Sequence, residues 1–157
     1  MKIKVTFALI IIILMVAGLS IFINMNYLYS PFEYEKISNF EYVKWSDFKR
    51  PLMIELEIKD KQIVEYLLQN EKEIKFIYDE LVDSETVVVS EYVGDRYIHF
   101  QFARGNLTDE SFEGFFVVEI NRQGIAKLSE DLYVQVSDEL MNYFANIENR
   151  DTVLYLL

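Results

Sequence analysis

The chain has 157 residues, with 15 Lys and Arg against 26 Asp and Glu, one His and no Cys. The missing cysteines exclude a disulfide framework, a thiolate zinc site, a Cys nucleophile and a lipid-modified Cys. The single His excludes a His-based metal cluster, and the acidic balance opposes phosphate binding of the kind nucleic acids require.

Lys2 and Lys4 precede an uncharged run from Val5 to Ile23, VTFALIIIILMVAGLSIFI. As a helix it is roughly 28 Å long, close to the ~30 Å of a bilayer core. An uncleaved membrane anchor over residues 1–26 is the favoured reading. A signal peptide cut after Ser20 is the rival, because Phe7 to Val16 with Gly18 and Ser20 supplies the parts. Against it, Ile21, Phe22 and Ile23 carry the apolar run past the cut. A buried core helix fits poorly, since no polar face interrupts the run. A type IV pilin starts in a similar way, but that family carries a Glu early in its apolar helix, and the first Glu here is Glu33.

The next cation after the run is Lys36. Cytoplasmic flanks carry the Lys/Arg excess, so the expected topology is single-pass, with the N-terminus cytoplasmic and the main domain outside. Without Lys2 and Lys4, 13 cations face all 26 acids, which puts the outer part near −13. That charge keeps a domain dispersed, disfavours lying flat on anionic lipid, and permits a basic partner or a divalent metal.

Asn24 to Pro31 reads as a connector, with Tyr27 and Tyr29 placed for the interfacial aromatic belt. Phe40, Tyr42, Trp45 and Phe48 give no single period, so residues 27–50 are expected to form a juxtamembrane connector and irregular segment. The extracytoplasmic domain proper then covers 51–157. Leu52, Ile54, Leu56 and Ile58 alternate with Met53, Glu55, Glu57 and Lys59, the pattern of a strand with one wet face. Asp60 suits an N-cap. From Lys61 to Leu81, Ile63, Tyr66, Leu67, Ile74, Ile77, Tyr78 and Leu81 recur near helical spacing, with a break possible at Asn70.

Thr86 to Val93 and Arg96 to Ala103 read as a hairpin about Gly94-Asp95. In the second strand Ile98, Phe100 and Phe102 face inward, while Tyr97, His99 and Gln101 share the polar side. Arg104 to Gly114 reads as a polar loop. Phe115–Ile120, Ile125–Leu128 and Leu132–Val136 follow as strands, with a turn at Asn121 to Gly124. Ser137 caps a helix ending near Ile147, with Asp138 and Glu139 in its first turn. Thr152 to Leu157 is an apolar tail expected to dock. The fold class is α+β, an N-terminal transmembrane helix followed by a small domain with a long helix packed on a mainly antiparallel sheet.

Chemistry-bearing residues are sparse. His99 has no G-x-S-x-G partner motif and reads as an ordinary sheet-face residue. Glu55 with Glu57, Asp109 with Glu110 and Glu113, and Asp79 with Glu80, Asp83 and Glu85 are carboxylate groups without calcium-loop spacing. Asn106-Leu107-Thr108 is a glycosylation sequon. Phe112, Phe115 and Phe116 around Gly114 offer either a binding patch or core. No catalytic, cofactor-binding or metal site is assigned, and no cofactor is expected. The favoured function is a single-pass membrane-anchored protein with an extracytoplasmic non-catalytic binding or regulatory domain and a protein partner. The alternatives are a membrane-tethered hydrolase using carboxylates and a secreted protein released by cleavage.

Overall fold

The computed structural model describes residues 2–34, 43–59, 63–89, 96–106 and 111–147. Helix α1, Lys2–Asn26, takes in the whole apolar run. The described residues leave its most apolar stretch uncovered. Leu14 and Met15, for example, are 66% and 69% exposed.

The chain after α1 is organised by two small capped turns. Ser30 and Glu33 form a reciprocal box around α2, Pro31–Tyr34: Glu33 N donates to Ser30 Oγ at 3.2 Å, and Ser30 N donates to Glu33 Oε2 at 3.0 Å. Pro31 at the first helical position loses no needed donor. A 3-10 turn, Trp45–Phe48, is closed by Lys44 N donating to Asp47 Oδ2 at 2.7 Å. Both pieces pack into the domain. Tyr29, Val43 and Phe48 are all buried in its core. Tyr29, 2% exposed, is therefore covered by protein and cannot serve in a lipid-facing belt.

Among the described residues the sheet has seven strands: β1 (Leu52–Lys59), β2 (Ile63–Leu68), β3 (Glu85–Val87), β4 (Arg96–Asn106), β5 (Ser111–Asn121), β6 (Ile125–Lys127) and β7 (Tyr133–Gln135). Their order is β2-β1-β4-β5-β6-β7-β3, with every pair antiparallel. Helix α3, Glu71–Asp83, carries the chain from edge strand β2 to the opposite edge strand β3. Helix α4 is Asp138–Ile147. Tyr78 of α3 packs on Phe102, and Phe144 of α4 packs on Phe100, with ring centroids 6.0 and 5.6 Å apart. Phe100 and Phe102 share one side of β4, so both helices cover the same face; among the described residues neither α3 nor α4 packs on the other, the open face. This is an α+β arrangement.

Other sequence expectations change as well. The expected helix from Lys61 begins only at Glu71, where Asn70 Oδ1 accepts from Lys72 N at 3.0 Å; Ile63–Leu68 is a strand, held by its ladder to β1. The expected hairpin between residues 86–93 and 96–103 does not form: β3 pairs with β7, and β4 lies between β1 and β5. The supposed loop from Arg104 to Gly114 is mostly hairpin, with Arg104 paired to Glu113 and Asn106 to Ser111. Met53, expected on the wet side, is 2% exposed. The alternation of β1, the turn at Asn121–Gly124 and α4 occur where the pattern puts them; Leu140 N donates to Ser137 Oγ at 3.0 Å. Phe40, Tyr42, Asp60, Gly94-Asp95 and the tail from Thr152 lie outside the described residues.

Candidate functional site

Two features draw polar groups together. The first is a cleft of about 430 Å³ beside the end of α1. Leu28, Met53, Ile74 and Pro51 give it apolar walls, while Arg50, Glu71 and Gln69 supply polar groups. Arg50 Nη2 and Glu71 Oε2 are 2.9 Å apart. Arg50 N donates to Asn26 O at 2.9 Å, satisfying a carbonyl at the C-terminal end of α1. Arg50 Nε is buried and has no hydrogen-bond partner among the described residues. The volume falls within the ~300–1,000 Å³ of ligand clefts. The lining sets a cation balanced by a carboxylate, Arg50 with Glu71, against apolar walls.

The second is a row across the open face of the sheet. The register places Glu65, Glu57, His99, Glu119 and Lys127 side by side on β2, β1, β4, β5 and β6. Arg96 Nη2 lies 2.6 Å from Glu57 Oε1, and Arg96 Nη1 lies 3.7 Å from Glu119 Oε1. His99 Nδ1 is 3.7 Å from the same Glu119 oxygen, beyond hydrogen-bond reach. Strict alternation from Ile98 would send Arg96 to the core side. A register shift between Arg96 and Ile98 re-aims it to the open face. The same shift corrects the expected place of Tyr97, which packs partly against the core and carries the Arg122 guanidinium 4.7 Å over its ring.

The remaining sequence candidates disperse. Glu55 accepts from Gln101 Nε2, and Glu113 pairs with Arg104 at 3.0 Å. Asp79 faces the Tyr29 hydroxyl, and Glu80 accepts from Ser137 Oγ. Asp83 and Glu85 are exposed. Asp109 and Glu110 lie outside the described residues, as do Leu107 and Thr108 of the sequon. Phe115 and Phe116 are core: Phe116 is 6% exposed, and Phe115 meets Phe48 at 5.5 Å between centroids. A second register shift, between Phe102 and Ala103, leaves Phe115 as an extra residue, so two successive aromatics reach the same core. Among the described residues no group of three His, Cys, Asp or Glu is placed to hold a metal ion.

Arg50, Gln69 and Glu71 were not singled out from sequence. Only Pro51 after Arg50 and the break near Asn70 marked the cleft's rim. The fold thus defines one seven-stranded α+β unit joined directly to an apolar N-terminal helix. Compared with family models, characterised proteins and solved structures, the chain matches none.

Proposed function

We propose that this is a single-pass membrane protein whose domain is held outside the membrane, at the bilayer surface, and binds or regulates a partner there without catalysing a reaction. The observation that carries the reading is the contrast between α1 and the domain. The apolar surface of α1 is uncovered, while its last residue and the two that follow are hydrogen-bonded into the domain: Asn26 O accepts from Arg50 N at 2.9 Å, Tyr27 bridges Lys49, and Leu28 N donates to Phe48 O at 3.0 Å. Each large apolar side chain left in water forgoes about 1.5–3 kcal/mol, and a bilayer recovers it. Lys2 and Lys4 on one flank favour an outside domain. A binding role is favoured over hydrolysis because Arg96 already occupies oxygens of Glu57 and Glu119, which an acid–base pair would offer to a substrate.

The reading is tested in membranes. Alkaline carbonate should leave the full chain in the pellet with its N-terminus intact, and protease added to wall-stripped cells should digest the domain. Quantitative release into the supernatant, or protection until lysis, would overturn anchoring or orientation respectively. In a complementation assay, an unrelated apolar span in place of α1 should preserve function. A cleaved leader that frees the domain should abolish it.

A further inference from the structure

The junction between α1 and the domain presents a distinct surface. Tyr27 N still donates to Ile23 O at 2.9 Å, so the helical path runs on to the first domain residue. Residues 48–50 lie antiparallel to 26–28, joined by Leu28 N to Phe48 O, Arg50 N to Asn26 O and the Tyr27–Lys49 bridge. The Tyr27 and Trp45 rings stack with centroids 4.0 Å apart and planes at 21°. Trp45 Nε1 donates to Tyr29 O at 2.7 Å, which fixes the indole at that place. Lys44 and Lys49 are exposed, and the side-chain ammonium of neither forms an ion pair among the described residues, although Lys44 N donates to Asp47 Oδ2. Neighbouring cations are paired: Arg50 with Glu71, Lys75 with Glu33, and Arg104 with Asp47 and Glu113.

Height above the bilayer follows from the helix. If the hydrocarbon ends at Ile23, Tyr27 is four residues further, or roughly 6 Å at 1.5 Å per residue. The headgroup layer on each side is about 5–7 Å thick. The Tyr27–Trp45 stack and the neighbouring Lys49 therefore lie within it. Amphipathic rings favour that depth, and lysines there meet lipid phosphates. The charge contrast sharpens the fit, because the outer part as a whole is near −13 and an anionic surface repels most of it.

We propose that Lys44, Lys49 and the Tyr27–Trp45 stack form a collar that binds lipid phosphates where α1 leaves the bilayer, and so fixes the domain's orientation on the membrane. The proposal rests on the membrane reading above. The acidic bulk of the domain then points away from the surface, and the Arg50–Glu71 cleft is held beside the headgroups.

Trp45 is the only tryptophan in the chain, so its fluorescence reports the collar directly. The full chain is reconstituted into phosphatidylcholine vesicles with and without phosphatidylglycerol, floated on a density gradient, and probed with lipids carrying a nitroxide near the headgroup or deep in the acyl chain. The shallow nitroxide should quench Trp45 more than the deep one. Lys44→Gln with Lys49→Gln should weaken docking in phosphatidylglycerol vesicles on the order of fivefold per lysine, and Lys→Arg at both positions should restore it. Failure to float overturns the membrane reading, and the collar with it. Flotation without shallow quenching overturns the collar alone. Quenching that ignores the lysine charges shows that the lysines do not bind phosphate, and it too overturns the proposal, leaving an acidic protein partner for them.

Discussion

The Tyr29 hydroxyl, three residues past the end of α1, lies 3.4 Å from the Asp79 carboxylate on α3 and 3.3 Å from the Lys75 carbonyl. Lys75 also places its ammonium 4.9 Å over the Tyr29 ring. One side chain thus ties the segment that follows α1 to helix α3. Tyr29→Phe should cost about 1 kcal/mol, the usual net worth of such a bond. Tyr29→Ala should cost about 3–5 kcal/mol, because it opens a cavity between Phe48 and Tyr78. Denaturant unfolding of the full chain in detergent would separate the two. Equal losses would show that the hydroxyl contributes little beside the ring.

Asp79 should make the fold more stable on mild acidification. Burial raises its carboxyl above the ordinary range, opposed by Lys75 and the Tyr29 bond and reinforced by Asp83 and Glu33. The folded state then holds a proton that the unfolded chain releases, so stability attributable to this group is full below the unfolded value near 3.8 and lost as pH rises through the folded one. Asp79→Asn, which keeps an acceptor for Tyr29, should therefore stabilise the protein at pH 7, by under about 1 kcal/mol given solvent screening. The gain should vanish as pH approaches 4. A gain that is constant with pH would exclude this carboxyl as its source.

Tyr29 and Tyr78 set an alkaline limit. Burial, then neighbouring negative charge from Asp79, pushes the Tyr29 phenol far up; burial does the same for Tyr78. Both contribute stability in full below the unfolded value of 10, and that stability is lost as pH rises above it. Each should steepen the loss by up to about 1.4 kcal/mol per pH unit. Tyr29→Phe with Tyr78→Phe should flatten the fall of the unfolding midpoint above pH 10. An unchanged slope would place the alkaline transition elsewhere.

The β5–β6 turn depends on Asn121 and Gly124. Asn121, 1% exposed, accepts from Gln123 N at 3.0 Å and Ile125 N at 2.9 Å through Oδ1. Gly124 has φ +77°, and a Cβ there would come within 2.8 Å of Gln135 Nε2. Asn121→Ala leaves two part-buried donors without their acceptor and should cost about 1–2 kcal/mol. Gly124→Ala should cost about 1–2 kcal/mol through backbone strain. Thermal melts of the two variants check both, and Gly124→Asn, which tolerates this conformation better, should lie between wild type and Gly124→Ala.

His99→Gln should leave folding and complementation intact, with a stability change within about 1 kcal/mol. His99 stands beside Glu57 and Glu119, both of which pair with Arg96, and its own Nδ1 has no hydrogen-bond partner among the described residues. Loss of function with an unchanged melt would make His99 the centre of an active site.

Much of the fold is legible in local pattern. Alternation over Leu52–Lys59 depends only on which residues shun water, and Ser137 with Asp138 and Glu139 caps α4 through contacts three residues apart. The Ser30–Glu33 box is equally local, each of its two bonds spanning three residues. Ile63–Leu68 was not legible, because Ile63, Tyr66 and Leu67 suit a helical face while Val64, Tyr66 and Leu68 suit a strand. Only the ladder to β1 decides between them.

By itself the sequence determined the apolar helix, the acidic balance of the residues after it, the α+β class and the absence of cysteine, since these follow from composition and short-range periodicity. Tertiary structure decided the rest. Strand partners such as β3 with β7 lie far apart in the chain, and the energy that selects them comes from burial and ladder bonds no local window contains. The two register shifts reverse side-chain parity, bringing Arg96 to Glu57 and Phe115 to Phe48. The cleft exists only because segment 48–50 returns to the end of α1, where Arg50 N meets the carbonyl of Asn26 and its guanidinium meets Glu71.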